Sequence, residues 1–201
     1  MGIKEWEKLK LKVKNCKKCD LWKTRKNVVF GEGNLKAKIL ILGQAPGSKE
    51  DEEGRPFVGR AGRLLDNLLR LAGLKREEVF ITSVLKCFPP KNRPPAIKEI
   101  KSCLYWLKEQ VRIINLQKII LLRRVAFSIF FPKENLKNFR GKWIEKGKKF
   151  YFPTYHPAAG LRFPTIKKIL EEDFRFLNLT LKKNNAKLNK NLLKIKKGGK
   201  T

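Results

Sequence analysis

The sequence lacks any apolar run near the roughly 20 residues that a membrane-spanning helix requires. Its first 14 residues alternate lysine with leucine, isoleucine and tryptophan, and they contain no apolar core of the kind found in export signals. We therefore expect a protein that remains in the cytoplasm, where thiols are kept reduced.

Acidic residues are scarce. The chain has 18 Asp and Glu against 48 Lys and Arg, which gives a formal net charge of +30 at pH 7. This excess is far larger than solubility requires, and it suits a polyanionic partner such as nucleic acid. Part of the excess is also typical of a lysine- and asparagine-rich genome, so the positions of the charges have to distinguish the two explanations.

Histidine occurs once and cysteine four times. In a chain without an export signal, cysteines serve as metal ligands more often than as disulfides. Cys16 and Cys19 form a close pair, whereas Cys87 and Cys103 are far apart in the sequence. This spacing matches neither a zinc finger nor a ferredoxin, so it leaves zinc, an iron–sulfur cluster and four unrelated buried thiols all open.

Apolar and β-branched residues predict four strands, at residues 38–42, 79–85, 118–122 and 150–155. Helical patterns lie before, between and after them, at residues 3–13, 63–72, 96–114, 124–131 and 165–179. This alternation predicts an α/β fold of three layers, α/β/α, with a central parallel sheet of about four strands. The chain length allows one core, so we expect one domain over residues 1–180.

Residues 181–201 form the remainder of the chain. They are rich in lysine and asparagine and contain few core-forming residues. Such a composition predicts a basic, mostly disordered tail that binds phosphate groups.

Three short segments rich in glycine, proline or polar residues each follow a predicted strand. Residues 43–47 follow the first strand, residues 86–90 follow the second, and His156 and Pro157 follow the fourth. Ligands of parallel sheets bind beyond the carboxyl ends of the strands. We therefore expect the three segments to converge at one edge of the sheet.

The first of these segments belongs to a longer motif. Residues 43–47 (GQAPG) and 50–62 (EDEEGRPFVGRAG) resemble the first motif of the type-4, or iron–sulfur, uracil-DNA glycosylases. Three further segments resemble the same family in the same order, at residues 82–93 (TSVLKCFPPKNR), 140–143 (RGKW) and 153–159 (PTYHPAA). The resemblance implies an enzyme that hydrolyses the N-glycosidic bond of uracil in DNA and so starts base-excision repair.

The same resemblance implies a cofactor, because the four cysteines fall where this family has its cluster ligands. A [4Fe–4S] cluster on Cys16, Cys19, Cys87 and Cys103 would have a structural role. The implied partner is DNA that contains uracil or another deaminated base. We expect a monomer that associates with the nucleoid.

Several pocket residues gain roles from the resemblance. A glycosylase holds the extracted base in a pocket that reads its polar edge. Phe57 matches the residue that stacks on uracil, and His156 matches the catalytic histidine, whose donor at uracil O2 stabilises the leaving group. Asn92 matches an asparagine of the pocket or backbone contacts. Glu50 and Asp51 match an acidic pair that we expect to orient neighbouring loops.

Two positions depart from the family pattern. Gln44 stands where the family usually has an acidic residue, and the neighbouring Ala45 supplies no carboxylate either. We place both in the substrate pocket and expect the Gln44 amide to orient water, in a dissociative mechanism with weak general-base help. Ser83 stands where the family usually has Asn. A hydroxyl makes fewer bonds than an amide, so discrimination between bases should weaken.

Four arginines are candidates for contacts to DNA phosphates. Arg55, Arg60 and Arg63 cluster where a loop leads into a helix, and Arg162 follows the His-Pro motif. A solvated basic face would show the same pattern.

Three alternative functions stay open at this point. Ser83 and Gln44 also fit a glycosylase for hypoxanthine or xanthine, which a panel of single-lesion duplexes would distinguish. A non-catalytic iron–sulfur protein would bind lesions without releasing a base. A zinc-dependent nucleic-acid module would be colourless and would contain stoichiometric zinc.

Overall fold

Seven strands form one mixed sheet in the computed structural model, which describes residues 2–182 and 192–194. The strands are β1 (Glu32–Gly33), β2 (Ile39–Gly43), β3 (Phe80–Ser83), β4 (Lys118–Leu122), β5 (Trp143–Lys146), β6 (Lys149–Thr154) and β7 (Leu192–Lys194). Their order across the sheet is β1-β3-β2-β4-β6-β5-β7.

The four central strands are the four predicted segments, and they are parallel to one another. Every residue of β2 and β3 is buried. A strand covered on both faces has no solvent side, so its sequence is a near-continuous apolar run rather than an alternating one. The α/β class is therefore confirmed.

The edges of the sheet differ from the prediction of a purely parallel sheet of about four strands. β1 pairs antiparallel with β3, β5 pairs antiparallel with β6, and β7 pairs parallel with β5. The β5–β6 hairpin turns at Gly147, whose φ of +63° is a conformation that glycine adopts without strain. The edge strands escaped prediction because they are too short to show an apolar pattern.

Eight helices are present among the described residues. They are α1 (Gly2–Lys14), α2 (Ser48–Glu53), α3 (Arg60–Leu71), α4 (Ile97–Ile114), α5 (Arg124–Phe130), α6 (Leu136–Phe139), α7 (Pro157–Gly160) and α8 (Pro164–Lys182). The five longest helices, α1, α3, α4, α5 and α8, correspond to the five helices that the sequence predicts. The helices α2, α6 and α7 have four to six residues each, which is too short for a helical period to be visible.

Two hydrophobic cores lie on opposite faces of the sheet. One contains Trp6 of α1, Leu107 of α4 and Phe127 of α5, packed on alternate residues of the strands. The other contains Leu68 of α3 and Phe174 of α8, packed on the intervening strand residues. The helices thus form a layer on each face, as the three-layer prediction requires.

Two parts of the predicted tail have regular structure. Helix α8 continues to Lys182, and residues 192–194 form β7 at the edge of the sheet. The disorder predicted for residues 183–191 and 195–201 lies outside the described residues.

No helix in the described part of the chain is long and apolar enough to cross a membrane.

The strand order creates a crevice at the carboxyl ends of the central strands. From β2 the chain moves to β3 on one side, and it then crosses to β4 on the other side of β2. The loops that follow β2 and β4 therefore diverge, and a ligand site is expected between them at the carboxyl ends of the strands.

Candidate active site

A cavity of about 160 Å³ occupies this crevice. Segments that follow β2, β3, β4 and β6 line it. Of the three segments predicted to converge, residues 44–47 and His156 line the cavity, whereas residues 86–90 do not, and Asn92 and Arg93 of the same loop take their place. All six residues proposed for the pocket contribute to the lining: Gln44, Ala45, Phe57, Ser83, Asn92 and His156. Arg123, Glu50 and Arg93 also line it, and sequence reasoning did not place these three in the pocket.

Phe57 lines the cavity beside the histidine. Its ring stacks on the His156 ring, with 5.4 Å between the ring centroids and 24° between the planes. Its backbone has a φ of 53°, which is unusual for a bulky residue. Gly62 of α3 permits this conformation, because a Cβ there would lie 1.8 Å from the Phe57 carbonyl oxygen. The loop is therefore shaped to hold one aromatic face against the cavity.

His156 follows β6 and precedes the first turn of α7. Its Nδ1 accepts a hydrogen bond from the Ala158 backbone N–H at 3.1 Å. Burial, with a smaller effect of the Arg123 charge, lowers the pKa of His156 to about 4. At neutral pH the ring is therefore uncharged and carries its proton on Nε2, which remains available as a hydrogen-bond donor.

The four cysteines line one pocket, although they come from the α1 end, the loop after β3 and helix α4. Two of their sulfur atoms accept side-chain hydrogen bonds at 3.2 Å, Cys87 Sγ from Arg25 Nη1 and Cys16 Sγ from Trp106 Nε1. Such donors suit negatively charged sulfur, the form in which cysteine binds metals. The four thiols and their donors therefore fit the iron–sulfur group that the resemblance implies.

Comparison with known proteins identifies the family. A sequence model described as the uracil DNA glycosylase superfamily matches residues 30–181. The chain belongs to this superfamily. It is 51% identical over 173 residues to the type-4 uracil-DNA glycosylase of Saccharolobus solfataricus, with 81% of this chain and 80% of the relative aligned.

Two further relatives carry the same name. The type-4 uracil-DNA glycosylase of Sulfurisphaera tokodaii is 49% identical over 179 residues, which cover 84% of this chain and 81% of the relative. That of Thermotoga maritima is 43% identical over 177 residues, which cover 86% and 92%. The predicted family resemblance is therefore confirmed.

A buried acid supports the histidine segment of this superfamily member. Asp173 of α8 accepts a hydrogen bond from Thr154 Oγ1 at 2.5 Å and another from Arg140 Nη1 at 2.7 Å. The Gly141 backbone N–H also bonds to the Pro153 carbonyl at 2.9 Å. The RGKW motif thus fixes the end of β6. Sequence reasoning missed Asp173, because only the fold brings α8 beside this strand.

Arg76 supports the loop of Phe57 from its outer side. Its guanidinium donates to the Pro56 carbonyl at 2.6 Å and forms ion pairs with Glu32 and Asp66, both at 2.8 Å. Arg55, a predicted DNA contact, instead pairs with the same Glu32 carboxylate at 2.8 Å while remaining largely exposed. The Phe57 backbone is therefore fixed both by close packing on α3 and by charge-assisted hydrogen bonds.

The acidic pair of the first motif binds backbone groups of the surrounding loops. Glu50 Oε2 accepts a hydrogen bond from the Gly47 backbone N–H at 3.0 Å, which fixes the loop after β2. The buried Asp51 carboxylate accepts from the Lys26 backbone N–H at 3.0 Å and from that of Asn27. Both acids thus orient loops around the cavity, as expected from the sequence.

No sequence motif identified Arg123 as a residue of the pocket. It follows β4 with a φ of 82°, and its backbone N–H bonds to the Thr154 carbonyl at 3.0 Å. The side chain is exposed and lines the cavity. The rule that ligands bind at the carboxyl ends of parallel strands would have pointed to it, since it comes directly after a predicted strand.

Three of the four predicted DNA-binding arginines share one surface. Arg60, Arg63 and Arg162 line a cleft together with Lys167. The cleft joins α3 to the segment between α7 and α8, close in sequence to His156. Arg55 is not part of this surface.

The lowered pKa of His156 predicts how stability depends on pH. Between pH 6.5 and about 4 the unfolded chain gains a proton at its histidine that the folded protein does not bind, so folding stability falls as pH falls through this window. Because the chain has one histidine, its imidazole NMR signal should titrate with a midpoint near pH 4. His156→Gln should remove this part of the pH dependence. A midpoint near 6.5 would contradict the burial argument.

Proposed function

We propose that this chain is a uracil-DNA glycosylase that hydrolyses the N-glycosidic bond of uracil in DNA. One observation carries the proposal: a neutral His156 and the stacked Phe57 ring face one cavity at the carboxyl edge of the sheet. The relatives named type-4 uracil-DNA glycosylases support the same activity. The product would be an abasic site, the substrate for the next step of base-excision repair.

The flipped uracil would enter between the residues that line the cavity. An extracted base must exchange its stacking partners in the duplex for protein groups, and the Phe57 ring offers such a face. In the free protein this face lies against the His156 ring. The base would therefore bind in the cavity next to these two rings, with its polar edge toward Ser83 and His156.

Bond cleavage places negative charge on uracil O2. The Nε2–H of a neutral His156 would donate to this oxygen, and the interaction strengthens as charge develops in the transition state. The positive charge of Arg123, at the same cavity, would stabilise the departing anion further. Leaving-group stabilisation is thus the main source of catalysis.

Activation of water has little help from acidic groups. Ala45 has no side-chain oxygen, and Glu50 is bound to the Gly47 backbone N–H. The amides of Gln44 and Asn92 line the cavity and would orient the attacking water without removing its proton. This arrangement favours a dissociative reaction, in which the base leaves before water attacks.

Loss of the histidine donor provides the first test. We expect His156→Ala to lower the rate of uracil release from a U·G duplex by about 10²- to 10³-fold, the effect of removing one donor to a developing anion. Alkaline cleavage at the abasic site measures release by anaerobically purified protein. Lys133→Ala, on the exposed surface, is the control. DNA binding without any release by the unaltered protein would instead favour the non-catalytic alternative.

Ser83 favours a wider choice of base than uracil alone. It is buried at the end of β3 and lines the cavity, but its hydroxyl is shorter than an amide and makes fewer hydrogen bonds. Hypoxanthine or xanthine would then meet less resistance. This observation keeps a broader deaminated-base glycosylase as the second candidate.

Ser83→Asn should increase the preference for uracil, by on the order of tenfold, since it adds a hydrogen bond to the polar edge of the base. The measurement is the ratio of kcat/KM for uracil and for hypoxanthine in otherwise identical duplexes. Ser128→Asn changes an exposed serine of α5 and should leave the ratio unchanged. An unchanged ratio in Ser83→Asn would show that this position does not read the base.

We also propose that Cys16, Cys19, Cys87 and Cys103 hold a [4Fe–4S] cluster. Their common pocket and the donors to their sulfur atoms support this group. The cluster would supply a rigid cross-link between the end of α1, the loop after β3 and helix α4. No step of the reaction depends on its electrons.

The DNA would lie across the mouth of the cavity. Leu161 is 41% exposed and Phe163 is 55% exposed, and they flank Arg162 in the segment that follows His156. Exposed apolar side chains at this place suit insertion into the space that a flipped base leaves. The cleft of Arg60, Arg63 and Arg162 would then bind phosphates beside the lesion. We expect a monomer to be sufficient.

Replacement of Arg60, Arg63 and Arg162 by Gln should weaken DNA binding and reduce its dependence on salt. From counterion release, the slope of log K against log salt should decrease by about one for each phosphate group that the variant no longer binds. Arg112→Gln at the end of α4 is the control, since Arg112 pairs with Glu5 and Glu109 and does not line this cleft. Equal slopes in the triple variant and the unaltered protein would exclude this cleft as the phosphate site.

A further inference from the structure

Lys86 is a buried lysine that the proposed reaction does not use. It lies in the loop after β3, directly before the proposed cluster ligand Cys87, and the residue is 1% exposed. Burial of an ammonium group is costly unless hydrogen bonds and a negative partner compensate for the lost water. A residue of this kind requires a specific explanation.

The hydrogen bonds of Lys86 point back to the end of β3. Its Nζ donates to the Ser83 carbonyl oxygen and to Thr82 Oγ1, both at 2.7 Å. Thr82 Oγ1 in turn donates to the Phe30 carbonyl at 2.9 Å. The ammonium therefore fixes the backbone of the residue whose hydroxyl lines the base cavity.

The negative partner of Lys86 lies on its other side. Within residues 2–182, no carboxylate is within ion-pair distance of its Nζ. The acidic groups beside it are the thiols of Cys87, the next residue in the chain, and of Cys103, which lines the same pocket. Lys86 also lines the cysteine pocket. The sulfur atoms and the group that they hold would supply the compensating negative charge.

We propose that Lys86 is a positioning residue that links the cysteine site to base recognition, by holding Ser83 in place with an ammonium whose charge the cluster site balances. The inference rests on the proposed function, since it assigns Ser83 to uracil recognition. It gives the cysteine site a consequence beyond cross-linking, because loss of the negative charge of that site would leave a buried cation without a partner beside the Ser83 backbone.

Binding of free uracil tests this link without requiring catalysis. The holoprotein is purified anaerobically, the cluster is quantified from its visible absorbance and from iron per chain, and the dissociation constant of free uracil is measured by titration calorimetry. Lys86→Met preserves the length and apolar part of the side chain but removes its charge and both donors. We expect the dissociation constant to rise by about tenfold or more at equal cluster content, as the loss of a charged hydrogen bond predicts.

Lys118→Met is the matched control. Lys118 is a half-buried lysine at the start of β4, at the end of the strand that lies away from the cavity, and burial lowers its pKa. Its replacement should change neither the dissociation constant of uracil nor the cluster absorbance. A purely structural role of Lys86 would lower thermal stability and leave uracil binding unchanged, which would overturn the proposal.

A second pair of variants keeps the test decisive if Lys86→Met does not fold. Thr82→Val removes one acceptor of the ammonium with little change in shape, whereas Thr82→Ser retains the hydroxyl. We expect weaker uracil binding in Thr82→Val and recovery in Thr82→Ser. Equal binding in the two variants would contradict the proposal. Unaltered protein that neither binds nor releases uracil would contradict the proposed function instead.

Discussion

Burial of the central strands on both faces is the constraint on which the rest of the structure depends. Because β2, β3, β4 and β6 are parallel and covered by helices, their polar and glycine-rich continuations all emerge at one edge. The change of direction between β2 and β4 opens that edge into a cavity. The chemistry of the protein is therefore confined to loops held by a rigid apolar scaffold.

Burial also sets the protonation state of His156, the catalytic candidate. A histidine in an open loop would titrate near physiological pH, whereas His156 stays neutral because its surroundings disfavour charge. Its Nδ1 is committed to a backbone N–H, so one tautomer is selected. A neutral donor fixed in this way suits a reaction in which charge appears on the leaving base rather than on the protein.

Motifs that directly follow strands could be located from the sequence, and those that depend on distant contacts could not. Gln44 and His156 could be placed at the cavity because each follows a predicted strand, and Ser83 because it stands where the resembled family usually has Asn. Arg76 and Asp173 escaped because their partners come from other parts of the chain. The same reason applies to the edge strands, whose pairing depends on neighbours and not on their own short patterns.

By itself, the sequence determined the α/β class, the four parallel strands, the family and six of the residues that line the cavity. The fold class and the strands follow from apolar runs, whereas the family and the six cavity residues follow from motifs that resemble those of a known family. Only the tertiary structure decided the mixed edges of the sheet, the neutral state of His156 and the separation of Arg55 from the other arginines. Each of these depends on burial or on charge pairs between distant residues, and such contacts exist only once the chain has folded.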